Sequence, residues 1–303
     1  MTNDCVFAVD FTHDGMTAAF VSLDGTEEEG TADFSLIDFM AGDTPPLDKL
    51  AGLLLAKARM ADGSLRATAL TLPCDIDRDR KRIVSFPEAQ WLNGVALPEM
   101  LEGLLGVPVV MERRAVAHLA YDRVMLGLPD DTLIVGCYVD NHYDSAIWHC
   151  GAAVLGKNGS AGNIAHMAVH DREDPCFCGK TGCVDLYGAG VRLRQIHTMI
   201  FPDTPMDELF EHHGDHPIIL DYLAMMAYPI AIEANILDPD FLVVGGSIPS
   251  MRGFPRNILE NHIREHSYHP SEDFQAAFLG SAAGTVSGVV VAAQYAALKL
   301  GLL

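Results

Sequence analysis

Apolar residues fall along this chain in short runs that form two similar series. In the first, residues 5–10 (CVFAVD) are almost continuously apolar, as a strand buried on both faces requires. A turn at 12–15 leads to a second strand at 16–23 (MTAAFVSL), and Asp24-Gly25 reads as the hairpin turn after it. A third strand is expected within 26–39, beyond an acidic run. Helical periodicity covers 47–60, whose last turn is basic, as the helix dipole favours. A strand at 67–72, a charged loop at 73–85, a helix at 97–105, a strand at 107–111 and a helix at 115–125 complete the series.

The second series starts at Thr132, with strands at 132–139, 145–149 and 152–154. After a long cysteine-bearing loop come helices at 191–200, 206–212 and 218–236. A buried strand at 240–245 then ends in Gly245-Gly246-Ser247. A helix at 255–265, a strand at 276–279 and a closing helix at 286–300 follow. A three-stranded meander and then strands alternating with helices, made twice, predicts an α/β protein of two domains. We place the N-terminal α/β domain at 1–116 and the C-terminal one, with the cysteine loop, at 117–303. The last helix, about 286–303, is expected to pack back on the first domain. Ligand pockets commonly form at such a junction.

The loop at 162–185 reads GNIAHMAVHDREDPCFCGKTGCVD. Cys176, Cys178 and Cys183 fall within eight residues, and His166 and His170 precede them. Three cysteines and one histidine can hold a Zn²⁺ in a closed tetrahedron, which is a structural site with no open position for a substrate water. Gly179 and Gly182 permit the tight turns that bring Cys183 back. Either histidine can serve as the fourth ligand. A disulfide within Cys-x-Cys would be strained.

Composition narrows the setting. At 303 residues, 49% hydrophobic and 20% charged, the chain can build a sizeable core without disulfides. The remaining cysteines, Cys5, Cys74, Cys137 and Cys150, are scattered, as in a reducing, cytoplasmic compartment. The N-terminus lacks a basic n-region, so no secretory signal is expected. No apolar run approaches about 18 residues, so no membrane partner is expected. The net charge of −21 repels nucleic-acid phosphates. The chain opens directly on a strand and has no basic helix-turn-helix segment, so no direct nucleic-acid contact is expected. His212, His213 and His216, and likewise His262, His266 and His269, read as solvated surface groups.

The loop resembles that of the ROK family (repressors, open reading frames, sugar kinases). The family pattern Gly-Glu-x-Gly-His, nine residues, Cys-x-Cys-Gly-x-x-Gly-Cys-x-Glu stands here as Gly162-Asn163-Ile164-Ala165-His166, then Cys176-Phe177-Cys178-Gly179-Lys180-Thr181-Gly182-Cys183-Val184-Asp185. This spacing selects His166 as the zinc ligand. The stretch 237–246 (LDPDFLVVGG) looks like the family's nucleotide-side motif, and within the family the C-terminal half, including Phe254-Pro255-Arg256 after the glycine pair, looks most like the D-allose kinases. The resemblance spans essentially the whole chain. It implies the actin-like, ribonuclease-H-like duplicated fold, a sugar ligand and a homodimer.

The family's catalytic residues do not carry over. Its base is the Asp of Asn-Asp-x-Asn, and Arg113-Arg114-Ala115-Val116 stands there. Arg114 occupies the base position, and a guanidinium stays protonated and cannot abstract a proton. Asp-x-Gly-Gly-Thr becomes Asp10-Phe11-Thr12-His13-Asp14-Gly15, keeping Asp10 and losing the glycine pair. Gly-Thr-Gly-x-Gly becomes 139–145, VDNHYDS, with no glycine and two new carboxylates. Gly245 and Gly246 alone keep the form of a nucleotide contact. On the sugar side Glu becomes Asn163 and the final Glu becomes Asp185, leaving Asn163, His166, Asp185 and Arg113 as candidate ligand contacts. Trp91, near a Pro-Asn…Trp segment of the family, reads as core.

The expectation is therefore a sugar-kinase-like protein, a pseudokinase, that keeps its fold, its zinc and a carbohydrate cleft without transferring phosphate. The alternative is an active, allose-kinase-like hexose kinase. It would use ATP and Mg²⁺, with Asp10, Asp140 or Asp185 as a relocated base.

Overall fold

In chain order the elements are β1 (Cys5–Phe11), β2 (Gly15–Ser22), β3 (Glu28–Ser35), α1 (Leu36–Phe39), α2 (Pro46–Ala58), β4 (Leu65–Leu72), β5 (Asp75–Ile76), β6 (Ile83–Ser85), α3 (Leu97–Leu105), β7 (Val109–Arg113) and α4 (Arg114–Met125). There follow β8 (Leu133–Val139), β9 (Tyr143–His149), β10 (Ala152–Ala153), α5 (Asp185–Gly188), α6 (Gly190–Ile200), α7 (Leu209–His213), α8 (Pro217–Leu237), β11 (Phe241–Gly245), α9 (Arg256–His266), β12 (Ala277–Gly280) and α10 (Gly288–Leu300). The computed structural model describes residues 4–26, 28–61, 64–268 and 276–303.

The chain divides into two units. The first comprises residues up to Tyr121, Leu155–Ala161 and Val286–Leu303, and the second Asp122–Val154 and Gly162–Thr285. Each is built on a five-stranded sheet, ordered β3-β2-β1-β4-β7 in the first and β10-β9-β8-β11-β12 in the second. In both, an antiparallel meander is extended by two parallel strands, so the two series seen along the sequence are two copies of one topology.

In the first unit β1 is buried along its whole length, and its alternation sorts it between two layers. Cys5, Phe7, Val9 and Phe11 join Leu50 and Leu54 of α2 and Leu97 and Leu101 of α3. Val6 and Ala8 turn the other way, onto Val289, Ala292, Ala293 and Ala296 of α10, together with Ala67 and Ala69 of β4. The alanines on this face are small enough to seat the helix close against the strands. Trp91 packs on this unit's core with its ring 5.9 Å from that of Phe39.

In the second unit Val135, Cys137 and Val139 of β8 pack with Tyr222, Leu223, Met226 and Ile230 of α8, Leu193 of α6 and Leu259 of α9. Helix α8 runs through Pro229 without ending. It is also long and apolar enough to cross a membrane, although half of that stretch is buried. Uninterrupted apolar runs miss it, because Asp221 and Glu233 interrupt the pattern.

Other expectations change. The charged stretch 73–85 is not only loop, since β5 and β6 pair within it as a small hairpin. Only the first part of 28–39 is strand; the chain then turns into the short α1. His213 and His216 are more than solvated groups. The ring of His213 stacks on Phe201 at 4.1 Å, and His216 Nδ1 caps α8 by accepting from the Ile218 amide at 3.3 Å. His212 and His262 pair with Glu208 and Glu265. His269 lies outside the described residues.

Candidate functional site

The cysteine loop folds on itself through its own backbone. Gly182 donates its amide to Asp174, Val169 to Gly182, and Cys176 to Lys180. Gly182 has φ +70, and a Cβ there would collide with the Arg172 carbonyl, so only glycine fits. The result brings His166, Cys176, Cys178 and Cys183 together, one ligand atom each, all within 4.8 Å of one another. His166 Nδ1 lies 3.6 Å from Cys176 Sγ, and Cys178 Sγ lies 3.6 Å from Cys183 Sγ. Bond lengths of about 2.3 Å (Zn–S) and 2.0–2.1 Å (Zn–N) set tetrahedral edges of about 3.8 Å for S···S and about 3.6 Å for N···S. The four atoms thus fit one Zn²⁺, while a disulfide needs sulfurs about 2.05 Å apart. Burial, and after it the neighbouring thiols, push the Cys183 thiol up to about 12. A bound cation would have to displace that proton. His170 is outside the cluster, exposed and beside Asp171. Phe177 sets its ring edge-on to both His166 and His142, at 5.1 and 5.3 Å.

In the first unit Arg114 is the opening residue of α4, directly after β7. Its Nε donates to both carboxylate oxygens of Asp10, at 3.1 and 3.2 Å. Thr71 Oγ1 donates to Asp10 Oδ1 at 2.6 Å. Asp10 is 5% exposed, so its charge is held by these partners rather than by water. A Cβ on Gly288, the first residue of α10, would collide with the same carboxylate. Arg113, also buried, sends its guanidinium to the Ala161 carbonyl at 3.0 Å.

In the second unit the Gly245-Gly246 turn is closed by its own chain. Asp140 Oδ1 accepts from the Ser247 amide at 2.6 Å. The Asp140 and Asn141 carbonyls take the amides of Gly190 and Val191, which begin α6. Backbone amides of the kind that cradle phosphate are therefore occupied by a carboxylate and two carbonyls. Gly246 has φ +99, and a Cβ there would lie 2.5 Å from the Val139 carbonyl. Gly246→Ala is expected to destabilise the protein by on the order of 3 kcal/mol, from backbone strain plus the clash. Urea unfolding measures this; a loss below about 0.5 kcal/mol would contradict it.

Asp185 is 1% exposed, with Oδ1 on the Tyr143 amide at 2.8 Å and Oδ2 on His142 Nδ1 at 2.7 Å. Asn163 is exposed, next to Gly162, whose carbonyl accepts from the Ser145 hydroxyl. Sequence reasoning misses Thr71, His142 and the buried Glu233, which lies 2.9 Å from Ser145 Oγ and 3.5 Å from Cys137 Sγ. Glu233 does leave a signal: one carboxylate in the otherwise apolar stretch 229–234. Asp122, fully buried, holds the Tyr138 hydroxyl at 2.7 Å and the Ala283 amide at 2.7 Å. Burial, outweighing these hydrogen bonds, raises its pKa.

The chain resembles known proteins along most of its length. A glucokinase from Halalkalibacterium halodurans is 25% identical over 162 residues, covering 46% of this chain and 49% of that protein. The DNA-binding transcriptional repressor Mlc of Escherichia coli is 23% identical over 218 residues, covering 67% and 54%. This chain thus spans about half the length of these relatives. A ROK family glucokinase from Streptomyces griseus, solved with glucose and AMPPNP, has the same fold, with a TM-score of 0.76 at 20% identity over 95% of this chain and 98% of that one. A family model for ROK proteins matches residues 46–297, and with both sheets and the cysteine loop in place, the chain belongs to the ROK family.

Proposed function

We propose that this ROK protein binds a carbohydrate and does not transfer phosphate to it. The observation that carries this reading is the Arg114–Asp10 ion pair. In it a permanent cation, Arg114, which the resemblance aligns with the family's general base, engages Asp10, which the resemblance aligns with the first phosphate motif. General-base catalysis contributes about 10²–10⁴-fold, so its loss alone would leave little turnover. Asp140 on the Ser247 amide and the buried Asp185 on His142 and Tyr143 support the same reading, because both carboxylates are engaged by groups of the protein itself. Mg²⁺ and ATP phosphates do not suit these residues: the Asp10 carboxylate is neutralised by an arginine and the turn amides are engaged.

One structural Zn²⁺ on His166, Cys176, Cys178 and Cys183 would hold the loop that carries Asn163 and Asp185. Asn163, His166, Arg113 and Asp185 are the proposed sugar-side residues, with Gly245 and Gly246 a vestige of the nucleotide side. A homodimer in the cytoplasm fits the family. The charge of −21 argues against direct DNA contact, even though relatives such as Mlc are DNA-binding.

A coupled assay with ATP, Mg²⁺ and a panel of hexoses that includes glucose, N-acetylmannosamine and D-allose tests the reading. No turnover above background is expected, together with a thermal shift from at least one sugar and none from ATP–Mg²⁺. Turnover abolished by Asp10→Asn or Asp140→Asn would overturn it in favour of an active hexose kinase, allose-kinase-like or otherwise.

A further inference from the structure

Strand β7 is the last strand of the first unit's sheet, and its outer edge borders a cavity of about 620 Å³. Such a volume is in the range of about 300–1,000 Å³ typical of small-molecule sites. The Thr68 amide donates to the Pro108 carbonyl. By the alternation of a parallel ladder, residues 110 and 112 then bond to β4, and residues 109, 111 and 113 point their amides outward. The outermost two are occupied: Val109 donates to Glu102 Oε1 at 3.0 Å and Arg113 to Glu112 Oε1 at 2.8 Å. Met111, between them, lines the cavity.

Above this edge stands the turn of the β5–β6 hairpin, Arg78-Asp79-Arg80-Lys81-Arg82, all five residues lining the cavity. Asp77 fixes the turn by accepting from the Lys81 and Arg82 amides, at 2.7 and 3.1 Å. Lys299 of α10 completes the cationic wall. Five of the chain's 20 Lys and Arg therefore line one cavity, which sets it apart from the rest of a chain with net charge −21.

Two of the lining carboxylates are committed. Glu112 faces Arg80 Nη2 at 2.8 Å and the Tyr295 hydroxyl at 2.7 Å, and Glu102 holds the Val109 amide. The side chains of Arg78 and Lys81 make no hydrogen bond or ion pair among the described residues. Asp10, Arg113 and Arg114 do not line this space.

We propose that this cavity is a binding site for a small dianion of the phosphate-ester class, held by Arg78 and Lys81, with the Met111 amide as a further donor. Convergent cations on a fixed turn focus the local field on an anion, and arginine forks suit phosphate oxygens. The assignment does not depend on whether the protein phosphorylates sugars.

Titration calorimetry with inorganic pyrophosphate, at low and constant ionic strength, tests it. Saturable binding to the wild-type chain is expected, weakened at least about tenfold in Arg78→Ala/Lys81→Ala and tightened in Glu99→Gln, since charge-assisted contacts of this kind are the stronger hydrogen bonds. Both altered residues of the double variant are exposed, so its melting temperature should match wild type. A control of equal charge loss, Arg59→Ala/Arg194→Ala, should keep the affinity. Absence of saturable binding up to about 10 mM, well beyond the range of specific affinities, would overturn the proposal. So would equal weakening in the control, or unchanged affinity in the double variant.

Discussion

Cys183→Ser is expected to purify with less than about half an equivalent of zinc per chain and to melt at least about 10 °C below wild type. Cys183 is fully buried, and its neighbours carry the loop's attachment: the Val184 amide donates to Met167 and the Asp185 amide to Ala165. Without the metal, the thiols at 176, 178 and 183 have no common partner, and the 165–185 segment must be held by its backbone bonds alone. Structural zinc supplies an apparent binding free energy of about 10–16 kcal/mol in small zinc peptides, much of which becomes folding free energy. A loss of even about 3–4 kcal/mol would move the melting temperature of a unit this size by on the order of 10 °C. Cys150→Ser, which alters an exposed cysteine outside the cluster, should change neither quantity. Wild-type protein with less than about half an equivalent of zinc would rule the metal out, because ligation by three thiolates and an imidazole is tight.

The second large effect is at the ion pair of the first unit. Arg114→Ala leaves the Asp10 carboxylate, 5% exposed in the intact protein, without its cation. Breaking a buried pair from one side typically costs about 3–5 kcal/mol. Removing both charges is milder, so Asp10→Asn/Arg114→Leu should recover much of that loss, with a coupling energy of at least about 1.5 kcal/mol in a double-mutant cycle. Thr71 would still donate to the side-chain oxygen of the amide that replaces the carboxylate. Additive losses in urea unfolding would show that the pair contributes nothing beyond its two separate residues. Retained stability in Arg114→Ala, with new phosphoryl transfer, would instead point to an arginine that merely covers a working site.

The parts of this fold that are legible in sequence are those set by neighbours. The run 5–10 reads as a strand because both of its faces are buried, and it forms β1. The spacing from His166 to Cys183 puts four ligand types in one loop, and that loop closes on itself. What the sequence leaves open involves distant partners. Arg114 is identifiable as a cation at a helix start, but its partner Asp10 lies 104 residues away. Asp140 looks like a lost phosphate loop, yet its bond is to Ser247, 107 residues on. The hairpin β5–β6 is invisible because its strands hold two and three residues beside a charged turn, too short for any alternation to register. His216 becomes a helix cap through the geometry of one turn, which composition does not encode.

Helix α10 has a consequence for how the chain is made. The face of β1 and β4 formed by Val6, Ala8, Ala67 and Ala69 is covered by residues 289–296. A ribosome must therefore add more than 200 residues after Ala69 before that cover exists, which takes roughly 10–40 s at about 5–20 residues per second. Through that interval the nascent first unit presents an apolar sheet face, while the second unit's sheet and helices are already being completed. The unit that begins first in the chain is the one finished last, and its early strands are the ones a chaperone would meet.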